Sequence, residues 1–421
     1  MAANGTTRMD TTCCIVGGGP AGIVLGFLLA RAGIDVVVLE KHADFLRDFR
    51  GDTIHPSTLE ILHELGLLNE FLALPHDEVR ELSALIGDTP VKIVDCTHLP
   101  TVCKFIALMP QWDFLNFFAG KAKQFPAFHL LVKTRAVDLI YDDAGTGIRG
   151  VRAAGENGDV TIFADLTIGA DGRHSIVREK ARLPIMDLGA PMDVLWMRIS
   201  RQPSDPPTTF VRFLQGRMLV QLNRRTYWQC AYVIAKGGYD EIKRAGIEAF
   251  RQELLELAPH LKERVNELKS FDDISLLTVA VDRLKQWHKP GLLCIGDSAH
   301  AMSPIGGVGI NLAIQDAIAT ANLLTAPLLN GTISEQDLAK VQRRREFPTR
   351  ATQRLQVVAQ NRVIRRVLEK RNQPAANTSL PLLLKLMNAF PVLRRIPARI
   401  VGVGFRPEHI RTTPANSNVR S

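Results

Sequence analysis

With 421 residues, 46% of them hydrophobic and 23% charged, the chain is long enough for two or three structural units with sizeable cores and has an ordinary globular composition. Its uncharged stretches, 15–30, 298–315 and 317–334, are interrupted by Gly, Pro, Ser or Asn, and no basic leader precedes the first, which argues against a membrane span or a signal peptide. The net charge of +9 is uneven: residues 341–421 hold seventeen Lys or Arg against three Glu, so the first 340 residues are net negative.

In chain order, Cys13–Val16 reads as a buried strand, 23–32 as a helix and 35–39 as a second strand closed by Glu40. Between the first two lie Gly17, Gly19, Pro20, Ala21 and Gly22, a G-x-G-x-x-G turn inside a βαβ unit. Glycine is needed for the sharp turn, for backbone approach to a pyrophosphate, and for close helix–strand packing. The helix N-terminus then offers free N–H groups to an anion. Glu40, eighteen residues beyond Gly22, stands where a carboxylate binds a ribose.

Ser57–Glu60 reads as a capping box opening a helix that ends near Gly66. Segments 81–86, 91–95 and 102–108 read as strands, and Pro110-Gln111-Trp112-Asp113 leads into a helix carrying Phe114, Phe117 and Phe118 on its face. Further strands are expected at 128–132, 149–153 and 160–168, the last ending at Gly169-Ala170-Asp171-Gly172-Arg173. From 194 to 233 the pattern is antiparallel and aromatic, with Trp228, Cys230 and Tyr232 on one strand face. Helical periodicity fills 239–268. A strand at 292–295 then leads to Gly296-Asp297, and a helix spans 308–324. The remainder is basic and mainly helical. The six cysteines lack framework spacing, and Cys96, His98 and Cys103 lack a C-x-x-C pair, so no metal site is expected and a reduced, cytoplasmic protein is.

Three separated segments share one logic, in which a strand stops at glycine-bearing turn residues. They are Gly17–Gly22 with Glu40, Asp171-Gly172 with Arg173, and Gly296-Asp297 followed by Pro304, Gly306, Gly307, Gly309 and Asn311. In this order they resemble the flavin-dependent aromatic hydroxylases, the single-component group A monooxygenases typified by 4-hydroxybenzoate hydroxylase. The likeness covers roughly residues 10–330, and Ser303-Pro304 replaces a Pro-Pro pair common there.

The resemblance implies an α/β fold: a Rossmann-like FAD-binding domain, an inserted antiparallel-sheet substrate domain and a helical C-terminal region. The expected division is 1–185 for FAD, with 75–108 lending strands to the substrate sheet; 186–289 for the substrate sheet and helix; 290–335 returning to the FAD domain; and 336–421 as basic helices. It further implies that FAD is resident, held by Gly17, Gly19, Pro20, Ala21, Gly22, Glu40, Lys41, Arg50, Gln111, Asp171, Gly172, Arg173, Asp297, Gly307, Gly309 and Asn311. With no second fingerprint in the chain, NADPH or NADH becomes a transient visitor.

The activity implied is hydroxylation of an aromatic or quinoid small molecule with dioxygen, through a flavin C4a-hydroperoxide kept from water. Arg50, His55 and Pro304 are the candidate catalytic residues, His55 being either an acid–base group or a packing residue. Phe210, Phe213, Tyr227, Trp228 and Tyr232 are candidate pocket walls or else ordinary core. The alternatives are a flavin dehydrogenase or reductase without oxygen transfer, and a membrane-docked flavoprotein using the basic tail. That tail either touches anionic lipid weakly or lies solvated against the acidic body. A homodimer is compatible with the sequence. No nucleic-acid motif accompanies the charge.

Overall fold

The computed structural model describes residues 7–46, 53–86, 89–156, 158–206, 209–214, 216–369 and 382–415. Two sheets organise them. The eight-stranded sheet has a parallel centre in the order Leu292–Cys294, Gly158–Gly169, Thr7–Val16, Val36–Leu39 and Phe128–Leu131. Its central strands are apolar without alternation because both faces are covered, the pattern of a parallel sheet. The helices Pro20–Arg31, Gln111–Ala122 and Gly309–Leu329 share its core. Phe27 meets Phe118 edge-on, with ring centroids 5.5 Å apart. The antiparallel pair Arg135–Tyr141 and Ile148–Gly155 extends from Gly158–Gly169.

Several element boundaries differ from the sequence reading. The first strand begins at Thr7, because backbone pairing with 160–169 continues through its polar residues. The first helix begins at Pro20, whose missing N–H costs nothing in a first turn. The next helix, Pro56–Glu64, also opens on proline after His55, so Ser57 lies inside the first turn and caps nothing. The strand 135–141 was not expected. The helix Gly309–Leu329 is long and apolar enough to cross a membrane, yet most of it is buried in the core against Pro20–Arg31.

The seven-stranded sheet runs Ser275–Leu277, Met192–Ser200, Tyr227–Ala235, Arg217–Asn223, Phe210–Leu214, Glu81–Ile86, Thr89–Asp95. All neighbours are antiparallel except 210–214 with 81–86. Strands from residues 81–95, far away in sequence, thus complete it. Directly opposed residues share a face. Val194, Trp196, Val233, Ala231, Met218, Val220, Val211 and Phe213 form one face. Leu195, Met197, Trp228, Cys230, Tyr232, Leu219 and Phe210 form the other, which packs under the helix Ile247–Leu257.

The C-terminal region is not a loose appendage. The helix Glu335–Ala359 opens on a capping box of Ser334 and Asp337. The segment Leu382–Gly402 packs on the edge strand 89–95. The chain then returns to the first helix, where Ala415 N–H donates to the Arg31 carbonyl at 2.9 Å and Arg31 donates to that of Thr412 at 3.0 Å.

Candidate active site at the carboxyl edge of the parallel sheet

Register brings the three motifs together. Val16 pairs with Gly169 and with Leu39, and Gly169 with Cys294. Residues 17, 40, 170 and 295 therefore leave the sheet along one edge, where open α/β sheets bind ligands. Gly17 adopts φ 110°, and a Cβ there would lie 2.4 Å from the Ala170 carbonyl oxygen. A Cβ on Gly22 would lie 1.9 Å from the Gly17 oxygen. Gly19 has open space where its side chain would be. One glycine thus makes the turn, one packs helix on strand, and one leaves room at a helix N-terminus. Glu40 is buried, accepting from Gly18 N–H at 3.2 Å and His42 N–H at 2.9 Å, so it binds the fingerprint turn as well as ending its strand. Lys41 beside it is exposed.

The second and third motifs meet directly. Arg173 stands 3.7 Å from the Asp297 carboxylate, which is about a third exposed at the strand end. Burial raises the Asp297 carboxyl, and Arg173 opposes that rise. Gly296 (φ 60°) is pinched between Ala313 and Ala21, and its N–H donates to buried Asp316 at 3.0 Å. Asp316 also bonds His300 at 2.6 Å and Arg345 at 2.9 Å, and these two hold its carboxyl below the usual range. The Gly-Asp turn is therefore set by a buried ion network reaching Glu408. Asp171 accepts from Val177 N–H at 3.2 Å at the start of a short helix, and burial raises its carboxyl. Ser175 caps that helix through Arg178 N–H, and Asp171 supplies a second acceptor to its first turn. Gly172 follows at φ 85°.

The loop after Met302 carries two consecutive left-handed glycines, Gly306 (φ 78°) and Gly307 (φ 63°), following Pro304. Gly307 is packed against Thr53, where a Cβ would lie 2.4 Å from Oγ1. Gly309 starts the long helix. The Asn311 amide is committed to protein: it accepts from His55 N–H at 2.9 Å and Thr58 Oγ1 at 2.7 Å, and donates to the Thr53 carbonyl at 3.2 Å. Its side chain stitches two loops together rather than offering itself to a cofactor.

Sequence reasoning missed three glutamines of the helix 335–359 and its continuation. Gln353 donates to the Asp282 and Ala301 carbonyls at 2.7 and 3.1 Å. Gln356 donates to those of Ser303 and Ile305 at 2.9 and 3.0 Å and accepts from Ser303 N–H at 3.2 Å. Gln360 donates to Ser303 Oγ at 2.7 Å. All three are buried, so the flavin-side loop hangs on a glutamine ladder. Their spacing of three and four residues, one helix face, was the signal available.

The structure separates the alternatives left open at the other candidate residues. His55 is fully buried, with Nδ1 2.6 Å from the Val401 carbonyl. Burial lowers its pKa to about 4, so it is neutral near pH 7 and is no proton donor there. Phe210, Trp228 and Tyr232 lie on the helix-covered face of the substrate sheet, with Trp228 Nε1 donating to Asp205 at 2.8 Å and Tyr232 Oη to Glu253 at 2.6 Å. They are core, because the helix 247–257 claims that face. Phe213 and Tyr227 lie on the opposite, partly open face, with Trp196, Met218 and Val220, which sequence reasoning did not select. That face clusters with Ile305 of the glycine loop. Gln111 begins the helix packed on Pro20–Arg31. Arg50 lies outside the described residues.

Among the described residues no cluster suits a metal ion. The open cradle at Gly19, the carboxylates Glu40 and Asp297 at strand ends and the glycine loop fit a dinucleotide flavin lying along the sheet edge. The fold and edge define an FAD-binding α/β flavoprotein. A family model described as an FAD binding domain matches residues 10–355. The 6-methylpretetramide 4-monooxygenase of Streptomyces rimosus is 32% identical over 360 residues, covering 83% of each chain. A probable FAD-dependent monooxygenase from Pseudomonas aeruginosa superposes with TM-score 0.72 at 20% identity, over 87% of this chain and all of that one. The p-nitrophenol 4-monooxygenase of Pseudomonas putida gives 0.72 at 19% identity, over 94% and 99%. The chain belongs to the FAD-dependent aromatic hydroxylase family and is an FAD-dependent monooxygenase.

Proposed function

We propose that this monooxygenase hydroxylates an apolar aromatic or quinoid ring bound between the open face of the seven-stranded sheet and the 303–309 loop. The observation carrying this reading is the contrast between the two sheet faces. Trp196, Phe213, Met218, Val220 and Tyr227 are partly exposed around buried Val194, Ala231 and Val233, while Leu195, Met197, Leu219, Trp228, Cys230 and Tyr232 on the other face are fully buried. An open apolar face beside a cofactor loop is a small-molecule site.

FAD, when bound, supplies the redox chemistry that uses NAD(P)H and dioxygen. The chain's own residues hold and shield it. The N–H groups of Gly19, Ala21 and Gly22 would hold its phosphates, and Glu40 and Asp297 would hold its sugar and ribityl hydroxyls. The apolar sheet face keeps water from the reacting ring. Neutral His55 and the Asn311 stitch hold the loop at 53–58 against the glycine loop and donate no proton.

The Streptomyces relative is named for its action on 6-methylpretetramide, which makes that compound the first of a phenol and quinone panel to test. Substrate-stimulated NADPH oxidation with matched oxygen consumption and a hydroxylated product is expected. Turnover of every panel compound without oxygen consumption returns the protein to the dehydrogenase reading. The six cysteines are all buried and unpaired, which supports a reducing, cytoplasmic location.

A further inference from the structure

We propose that the basic C-terminal face docks this enzyme on an anionic lipid surface. From Arg350 to Arg406 the sequence carries twelve Lys or Arg and a single acid, Glu369. Half of the fourteen large apolar side chains exposed among the described residues lie between Phe347 and Ile396. On the long helix these are Phe347, Leu355 and Val358, beside exposed Arg354 and Arg362. On the segment 382–402 they are Leu386, Phe390, Val392 and Ile396, beside exposed Lys385, Arg395 and Arg399.

These two stretches border one loop. Gln356 and Gln360 of the first hold residues 303–305. Val401 of the second lies 3.7 Å from where a Cβ on Gly306 would be. Phe347 and Phe405 also meet, with ring centroids 6.4 Å apart. The remaining arrangement is simple: apolar side chains, 40–60% exposed, set among guanidinium groups.

Charge selects the occupant. A second copy docked on the same patch would set like charges against each other across a self-complementary interface. An anionic bilayer takes both components, since bases reach its headgroups while Phe, Val, Leu and Ile enter the acyl boundary. Among the described side chains, the acids at this surface are Asp95, near Arg395, and Glu346, paired with Arg350 at 3.7 Å, and neither pairs with Arg354, Arg362 or Arg399. Docking would place the glycine loop and the apolar sheet face close to a bilayer in which an apolar ring substrate dissolves.

The test is co-sedimentation of the FAD-loaded full chain with vesicles of phosphatidylcholine alone or mixed with phosphatidylglycerol. At least about tenfold more binding to the mixed vesicles is expected, weakened by salt. Arg354→Glu with Arg399→Glu should abolish it, and Phe390→Ser with Ile396→Ser should reduce it, both with unchanged FAD content and melting temperature. Equal or absent binding to the two vesicles overturns the proposal, as does parental binding by the charge-reversed variant. Dimerisation lost in the Phe390/Ile396 variant without lipid binding assigns the patch to a second copy. Retention on polyglutamate without vesicle binding assigns it to an acidic protein.

Discussion

The parallel-sheet edge and the seven-stranded sheet use the same alphabet of short apolar strands, but they constrain their residues differently. At the edge, Gly17, Gly22 and Gly307 occupy positions where any Cβ meets backbone or a neighbouring side chain within 2.4 Å. Chemistry there is tied to residue type. On the substrate sheet both faces are apolar and aromatic. Trp196 and Trp228 differ in role only because one face is covered by the helix 247–257 and the other fronts the glycine loop. The first region advertises itself by composition, the second only by what packs on it.

The sharpest way to break this comparison is Gly22→Val. Its Cβ has no room beside the Gly17 oxygen, so purified protein should lack visible flavin absorbance and activity entirely. Normal FAD content would show that the edge tolerates side chains. Trp228→Ala should cost about 4 kcal/mol in denaturant unfolding, the range for a buried aromatic, while leaving KM for substrate unchanged in the protein that folds.

A pH experiment probes the joint between the two regions. His55 has a folded pKa of about 4, below its unfolded value, so the unfolded chain takes up the proton first. Stability is full above about pH 6.5 and falls by about 3 kcal/mol as pH drops toward 4. The His55→Asn variant should lack that component, and identical pH–stability curves for the two proteins would refute the assignment.

Gln356→Leu strips partners from the Ser303 and Ile305 carbonyls and the Ser303 N–H, costing about 2 kcal/mol. Because those groups set the glycine loop, NADPH oxidation should also become less coupled to product, which peroxide assay would show. The smallest effect expected is Phe213→Ala. On the open face it should raise KM about tenfold with little change in melting temperature, the mirror image of Trp228→Ala. If Phe213→Ala instead melts early and keeps its KM, the face assignment is reversed.

Much of the edge was legible. Gly17, Gly22 and Glu40 were placed by spacing, and Asp171 and Asp297 by their strand-end turns together with the family resemblance, because glycine conformation and strand ends are local properties. The glutamine ladder and the Asp316–His300–Arg345 network were not legible, since each joins residues up to several dozen positions apart. His55 stayed open between an acid–base group and a packing residue, since its burial depends on Val401 and Asn311, far away in sequence. The C-terminal region was read as basic helices, while its wrap over the strand 89–95 and back to Arg31 depends on long-range contacts.

The sequence by itself determined the class of protein. A βαβ glycine turn marks a dinucleotide site because phosphate and ribose binding demand particular backbone shapes, and the order of the two later Asp-bearing turns carries the resemblance that implies a resident flavin. The tertiary structure alone decided which face of the substrate sheet meets the flavin loop. Alternation shows which residues share a side, but the side that becomes interior depends on the helix that covers it.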